Sequence, residues 1–166
     1  MTGTRVAVIG ASGYGGLQTL RLLQDHPTLT VTFLGGERSS GRRWSELVPF
    51  LPLEGDPVVR TPDPEAIAAA ADLAVLSLPN GLAAGLVPRL LERGVKVVDL
   101  SADYRYRSLA QWQEVYATEA REIPRHDQDL CQEAVYGLVE WEEARIRAAR
   151  LVAAPGCFPK IGRAHV

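Results

Sequence analysis

Cysteine is scarce in this 166-residue chain. Only Cys131 and Cys157 occur, too few for the disulfide framework of a small secreted domain. A surplus of charge of either sign is also missing: 18 basic and 20 acidic residues leave a formal net charge of -2. No broad basic field can therefore hold nucleic acid by counterion release, and any anion must be bound locally. No apolar run approaches the roughly 18–20 residues of a membrane span. The N-terminal residues Met1 to Arg5 lead straight into an apolar strand without the charged-then-apolar pattern of a signal peptide. Internal repeats and low-complexity segments are lacking too, the run Ala66 to Ala71 reading simply as helix. With 46% hydrophobic and 23% charged residues, the composition excludes a disordered or collagen-like chain and suffices for one sizeable core. These absences imply a reducing, cytoplasmic setting with neither nucleic acid nor membrane as partner.

What is present is alternation. Arg5 to Ile9 is a β-branched run without polar alternation, the pattern of a strand buried on both faces of a parallel sheet. It ends at Gly10. Leu17, Leu20 and Leu23 then predict a helix over Leu17 to Gln24, stopped at His26-Pro27 because a proline drives its predecessor out of the helical region. A second strand is predicted from Leu29 to Leu34. The stretch from Trp44 to Pro64, broken by Pro49, Pro52, Pro57 and Pro62, reads as irregular with one short strand near Val58-Val59. Beyond it, helices are predicted over Glu65 to Ala71, Leu82 to Arg93, Leu109 to Ala117 and Glu140 to Ala149. Strands are predicted over Leu73 to Leu78, Val95 to Leu100 and Leu151 to Ala154. Such alternation implies an α/β fold: a doubly wound parallel sheet with helices on both faces.

In sheets of this kind ligands bind beyond the carboxyl ends of the strands. The first such end is Gly10-Ala11-Ser12-Gly13-Tyr14-Gly15-Gly16. Its glycines at 10, 13 and 16 form a variant of the dinucleotide fingerprint, in which backbone N–H groups at a helix N-terminus meet a pyrophosphate. The second strand is followed by Arg38, Ser39, Ser40, Arg42 and Arg43 against Glu37 alone. A basic loop here suits the 2′-phosphate of NADP, where NAD would call for an acidic residue. One charge-assisted contact of roughly 1.5–3 kcal/mol favours NADP by about ten- to a hundredfold. Pro79-Asn80-Gly81 is a turn that can close over the nicotinamide side. The stretch Asp99 to Arg105 gathers Ser101, Asp103 and Arg105 at one strand end. Arg105 can clamp a phosphate or carboxylate bidentately, or pair locally with Asp103. Cys157 follows the last strand and a Pro155-Gly156 turn, as either a nucleophile over the crevice or an inert thiol. Cys131, in an acidic stretch with no strand before it, reads as inert. No metal-ligand set is expected.

Taken in order, VAVIGASGYGG (Val6 to Gly16), Arg38-Ser39-Ser40-Gly41, LSLPNG (Leu76 to Gly81), VKVVDLSADYR (Val95 to Arg105), AVYGL (Ala134 to Leu138) and APGCFP (Ala154 to Pro159) resemble the N-acetyl-γ-glutamyl-phosphate reductases of arginine biosynthesis. These belong to the semialdehyde dehydrogenase superfamily, and single motifs recur in aspartate-semialdehyde dehydrogenases and lysine-pathway reductases. The resemblance implies a Rossmann-type NADP-binding domain and a reductive dephosphorylation of a small acyl phosphate through a thioester on Cys157. It further implies that Gly10, Ser12, Gly13, Tyr14, Gly15 and Gly16 line the pyrophosphate, that Arg38, Ser39 and Ser40 hold the 2′-phosphate, and that Pro79 borders the cofactor. Arg105, Ser101 and Asn80 would face substrate, and the full-length enzyme would be a homo-oligomer. Asn80 stands where the family often has histidine, Gly15 where it often has threonine, and Val139 where proline commonly follows. Family members continue past the cysteine into a second domain that supplies an acid/base histidine, and none of His26, His126 and His165 stands at its position. The expectation is therefore a cofactor-binding domain over residues 1–156, the start of a truncated catalytic domain at 157–159, and a non-native tail at 160–166. The tail, KIGRAHV, matches one reading frame of a common sequencing-adapter oligonucleotide. The competing expectation is a non-catalytic NADP-binding module that senses redox state through Cys157.

Overall fold

The computed structural model describes residues 3–116 and 125–157. Its centre is β1 (Thr4–Ile9), whose residues Val6, Ala7, Val8 and Ile9 are all fully buried. Burial on both faces is what an apolar run without alternation requires, each large side chain contributing roughly 1.5–3 kcal/mol. Val6 and Val8 join a core with Leu20 of α1 (Tyr14–Gln24), Leu34 of β2 (Leu29–Gly35) and Trp44 of α2 (Trp44–Leu47). Ala7 and Ile9 face the opposite core, with Ile67 of α3 (Pro64–Ala70), Leu76 of β3 (Leu73–Leu76), Val87 and Leu90 of α4 (Ala83–Glu92), and Val97 of β4 (Lys96–Asp99). The remaining elements are α5 (Leu109–Tyr116), α6 (Gln128–Glu133), β5 (Val135–Tyr136), α7 (Val139–Ala148) and β6 (Leu151–Ala153).

Six strands form one sheet in the order β2-β1-β3-β4-β6-β5, and every pairing is parallel. The chain places β2 on one side of β1 and β3 on the other, so the strand order reverses at β1. That reversal opens the crevice in which doubly wound sheets hold ligands. Local signals agree with the fold where they are strong. Asp63 caps α3 by accepting from the Ala66 N–H at 2.9 Å, with Pro64 in the first turn.

Three expectations need correction. Helix α1 begins at Tyr14 rather than Leu17. The proline-rich stretch contains the short helix α2, and the strand expected near Val58 reduces to isolated bridges, Arg43 with Val58 and Gly35 with Arg60. Residues 128–136, for which no element was expected, form α6 and the sixth strand, β5. Ala117, the tail 160–166 and with it His165 lie outside the described residues. No helix among the described residues is long and apolar enough to cross a membrane.

Candidate functional site

The carboxyl ends of β1, β3, β4 and β6 converge on one crevice. At the end of β1, the N–H groups of Gly10 and Ala11 both donate to the Gly35 carbonyl, at 2.8 and 3.1 Å, and the Gly13 N–H donates to Gly10 at 3.0 Å. Gly10 has φ of 77°, and a Cβ there would stand 2.0 Å from the Ser77 carbonyl oxygen. A Cβ on Gly16 would stand 2.2 Å from the Gly10 carbonyl oxygen. These two glycines are thus demanded by packing of the turn itself. Gly13 differs: its nearest contact would be 3.3 Å away, and the residue is exposed. Its missing side chain leaves the N-terminus of α1 open. No side chain caps that terminus, so the N–H groups of Tyr14, Gly15 and Gly16 have no partner one turn earlier. An open cradle of free N–H groups at the positive end of a helix fits a diphosphate. The Tyr14 ring is 82% exposed, leaving its backbone N–H as the group that can serve.

The loop after β2 comes back to this turn. Ser39 is buried, and its Oγ lies 3.5 Å from Ser12 Oγ, joining the two segments expected to line the cofactor. Ser40 turns instead to Thr61, 3.0 Å away. Of the loop arginines, Arg42 lies 3.8 Å from Glu46 and Arg43 lies 3.6 Å from Asp56. Arg38 is exposed and has no acidic partner among the described residues.

The turn after β3 and the loop after β4 are stitched together by reciprocal hydrogen bonds. Asn80 Oδ1 accepts from the Ala102 N–H at 2.9 Å, while Asp103 accepts from the N–H groups of Gly81 and Ala84 at 2.6 and 3.1 Å. Asn80 is thereby held through its carbonyl end with its amide NH2 still available, and Pro79 lies exposed at the rim. Ser101 is buried: its N–H and hydroxyl donate to Asp99 at 2.9 and 2.7 Å, and its Oγ accepts from the Asp103 N–H at 3.2 Å. Burial pushes Asp99 up to about 6, against the opposing hydrogen bonds from Ser101. Burial also raises Asp103, opposed by the Gly81 and Ala84 N–H groups.

Arg105 does not form the local ion pair that its loop could have made. Its carboxylate neighbour in sequence, Asp103, is taken by the β3–α4 turn. Arg105 Nε instead donates to the Ala154 carbonyl at 2.9 Å and Nη2 to the Leu100 carbonyl at 3.1 Å. The Ala154 N–H in turn donates to the Asp99 carbonyl at 2.8 Å. A guanidinium has five N–H donors, so three remain for a ligand. Ala154 stands three residues before Cys157, which is exposed at the end of the chain leaving β6.

Beneath this loop lies a support that spacing gave no sign of. The Arg125 side chain, 1% exposed, donates to Asp127 at 2.8 and 3.0 Å and to the Asp103 carbonyl at 2.8 Å. It also lies over the rings of Trp112 and Tyr104, 4.5 and 5.2 Å from their centroids. Trp112 Nε1 donates to the Ala102 carbonyl at 3.0 Å. Burial works to lower Arg125 and to raise Asp127, but their mutual hydrogen bonds prevail, holding Arg125 above and Asp127 below the usual range. Cys131, 3.5 Å from Arg125 Nη2, is buried and pushed up to about 11 by that burial, consistent with an inert thiol. His26 is remote, its Nδ1 accepting from the Thr28 and Leu29 N–H groups at the opposite, amino end of β2.

Residues 5–149 match the family described as semialdehyde dehydrogenase, NAD binding domain. The chain is 74% identical to an N-acetyl-gamma-glutamyl-phosphate reductase of Parasynechococcus marenigrum (strain WH8102), over 93% of this chain and 43% of that protein. It is 69% identical to the protein of the same name from Prochlorococcus marinus (strain MIT 9313), over 95% of this chain and 44% of that protein. It thus spans less than half the length of these relatives. An aspartate semialdehyde dehydrogenase II from Vibrio cholerae superposes with a TM-score of 0.63 at 23% identity, over 94% of this chain and 42% of that one, a likeness of fold. An aspartate semialdehyde dehydrogenase from Candida albicans, solved with NADP, gives a TM-score of 0.55 at 26% identity over 63% of this chain and 31% of that one. With its match extending over nearly the whole described sheet, the chain belongs to the semialdehyde dehydrogenase family through the NAD-binding domain.

Proposed function

We propose that this chain is the cofactor-binding part of an NADPH-dependent reductase that converts N-acetylglutamyl 5-phosphate to N-acetylglutamate 5-semialdehyde and phosphate. The observation that carries the reading is the bond from Arg105 to Ala154. It ties an anion-binding guanidinium to the strand end that leads to Cys157, beside a glycine turn open to a diphosphate. In this reading Gly10, Ser12, Gly13, Tyr14, Gly15 and Gly16 form the cradle, the free N–H groups of Tyr14, Gly15 and Gly16 meeting the diphosphate. Arg38, the loop arginine without an acidic partner, holds the 2′-phosphate with Ser39 and Ser40 beside it. Pro79 and the Asn80 amide border the nicotinamide and substrate.

The Cys157 thiolate attacks the acyl carbon and phosphate leaves with its bonding electron pair, giving a thioester on Sγ. NADPH, when bound, supplies the hydride that reduces the acyl carbon. Collapse of the resulting adduct returns the thiolate and releases the aldehyde. Arg105 orients the phosphate or carboxylate of the substrate with its remaining N–H donors, and Ser101, locked onto Asp99, shapes the loop that presents it. The full-length enzyme in this reading assembles as a homo-oligomer in the reducing cytoplasm, where the thiol stays free.

The test is turnover by the polypeptide of the relatives' full length that contains this sequence. NADPH oxidation dependent on N-acetylglutamyl phosphate, and lost in Cys157→Ser, is the expected result. NADPH binding without turnover of any acyl phosphate would overturn the reading in favour of a non-catalytic module. Preference for aspartyl phosphate would move the assignment to a different acyl-phosphate reductase.

A further inference from the structure

Ser77 lies inside the Leu76–Gly81 motif but was given no role there, and it stands at the point where the strand order reverses. Its N–H donates to the Ile9 carbonyl at 2.8 Å, and its own carbonyl packs so closely on Gly10 that a Cβ there would come within 2.0 Å of it. The backbone of Ser77 is therefore fixed against the glycine turn. Its hydroxyl reaches over the first turn of α1: a Cβ built on Gly15 would lie 2.5 Å from Ser77 Oγ and 3.5 Å from Ser77 Cβ. The hydroxyl thus fills the volume that any side chain at position 15 would need. Ser77 is only partly buried, and among the described residues its Oγ has no hydrogen-bonding partner. A hydroxyl with a free proton, carried on a fixed backbone, sits beside the first turn of α1, where the N–H groups of Tyr14, Gly15 and Gly16 are unpaired.

The geometry points to Ser77 as a cofactor-positioning residue whose hydroxyl donates to the nicotinamide-proximal phosphate of the dinucleotide, with Gly15 kept side-chain-free to admit that hydroxyl. The inference rests on the proposal that the glycine turn holds NADPH. The choice of phosphate follows from topology. Arg38 and Ser39 lie beyond β2, on one side of β1, and hold the adenosine end. Ser77 lies beyond β3, on the other side, so it meets the other half of the molecule. Position 15 and position 77 then form an exchangeable pair, because a hydroxyl carried on a Cβ at 15 would enter the space that Ser77 Oγ leaves.

Calorimetric titration of this chain with NADPH and with 2′,5′-ADP, which lacks the nicotinamide-side phosphate, tests the assignment. Ser77→Ala is expected to weaken NADPH by roughly tenfold or more, the effect of one charge-assisted hydrogen bond, and to leave 2′,5′-ADP within about twofold. Gly15→Ser alone should weaken NADPH through the clash with Ser77. The double variant Gly15→Ser with Ser77→Ala should recover most of the parent affinity. Unchanged NADPH binding by Ser77→Ala, equal losses for both ligands, or a double variant no better than Gly15→Ser would overturn it. Failure of the parent chain to bind either ligand would instead overturn the cofactor reading, and the role of Ser77 with it.

Discussion

Asp99 offers the most quantitative test of how the crevice is built. It is fully buried at the end of β4, and burial raises it to about 6 from the ordinary 3.8. Asp103 adds to the rise by like-charge repulsion, so the titration belongs to the pair. A carboxyl whose folded-state value lies above its unfolded one lends stability that is fully present below about 4 and is lost as pH rises through about 6. The displacement corresponds to roughly 3 kcal/mol. Asp99→Asn removes the titration while keeping the shape. The amide oxygen can still accept from the Ser101 N–H, and the amide nitrogen can donate to Ser101 Oγ. Thermal unfolding of the parent and variant chains should therefore nearly coincide below pH 4 and diverge between pH 4 and 6. Above pH 7 the variant should melt higher by about 6–12 °C, taking about 2–4 °C per kcal/mol for a domain of this size. A difference between the two chains that does not vary with pH, or that grows toward acid, would refute the reasoning.

Three further outcomes follow from the described geometry. Arg38→Ala should weaken NADPH by roughly ten- to a hundredfold with little effect on NADH, and equal losses in parallel titrations would remove Arg38 from the 2′-phosphate site. Native-state labelling with a chromogenic disulfide should modify the exposed Cys157 and spare Cys131 until denaturant is added, because Cys131 is buried and raised to about 11; two thiols reacting together in the native chain would contradict this. Arg125→Met should cost about 3–5 kcal/mol in denaturant unfolding, since it strands Asp127 and uncouples the Asp103 carbonyl, whereas a loss under 1 kcal/mol would show that the buried pair does not support the loop.

Legibility in the sequence follows the range of the interactions. β1 and its glycine turn were readable because a doubly buried strand needs consecutive apolar residues and the turn needs Gly10 and Gly16. The start of α1 was not, and for the same reason: Tyr14-Gly15-Gly16 is poor helix-forming sequence, each glycine costing about 1 kcal/mol relative to alanine. Tertiary packing overrides that cost, since any side chain at position 16 would strike the Gly10 and Ala11 carbonyls. α6 and β5 are too short, at six and two residues, to show a period. At the site, the residue types were legible but their partners were not. Arg105 and Ala154 are separated by 49 positions and Asn80 and Ala102 by 22. Pairing of Arg105 with the nearby Asp103 stayed open as one of two alternatives because sequence distance stood in for spatial distance. Arg125 was missed because a buried ion pair leaves no pattern, and Ser77, although inside the Leu76–Gly81 motif, because nothing in the sequence shows that its hydroxyl meets Gly15.

In the proposed reading, the long-range bonds decide what kind of anion site Arg105 forms. A guanidinium free in solvent would have to be ordered by its ligand, at about 2 kcal/mol of rotamer entropy. Arg105 is ordered already by the Ala154 and Leu100 carbonyls. Two hydrogen bonds from a charged donor, at roughly 1.5–3 kcal/mol each, outweigh that entropy, so the side chain stays where it is rather than swinging out to meet a ligand. Those carbonyls belong to the ends of β6 and β4, and β4 is fixed in turn to the β3–α4 turn through Asp103 and Asn80. Because Ala154 is bonded to both Asp99 and Arg105, displacement of the β6 end would move the Arg105 guanidinium with it. A ligand held by Arg105 is therefore referenced to the strand end that leads to Cys157. Asp103→Ala frees the β3–α4 turn from this framework, and in the polypeptide of the relatives' full length it should raise KM for the acyl phosphate more than it weakens NADPH in a titration; an equal or larger loss of NADPH affinity would refute this.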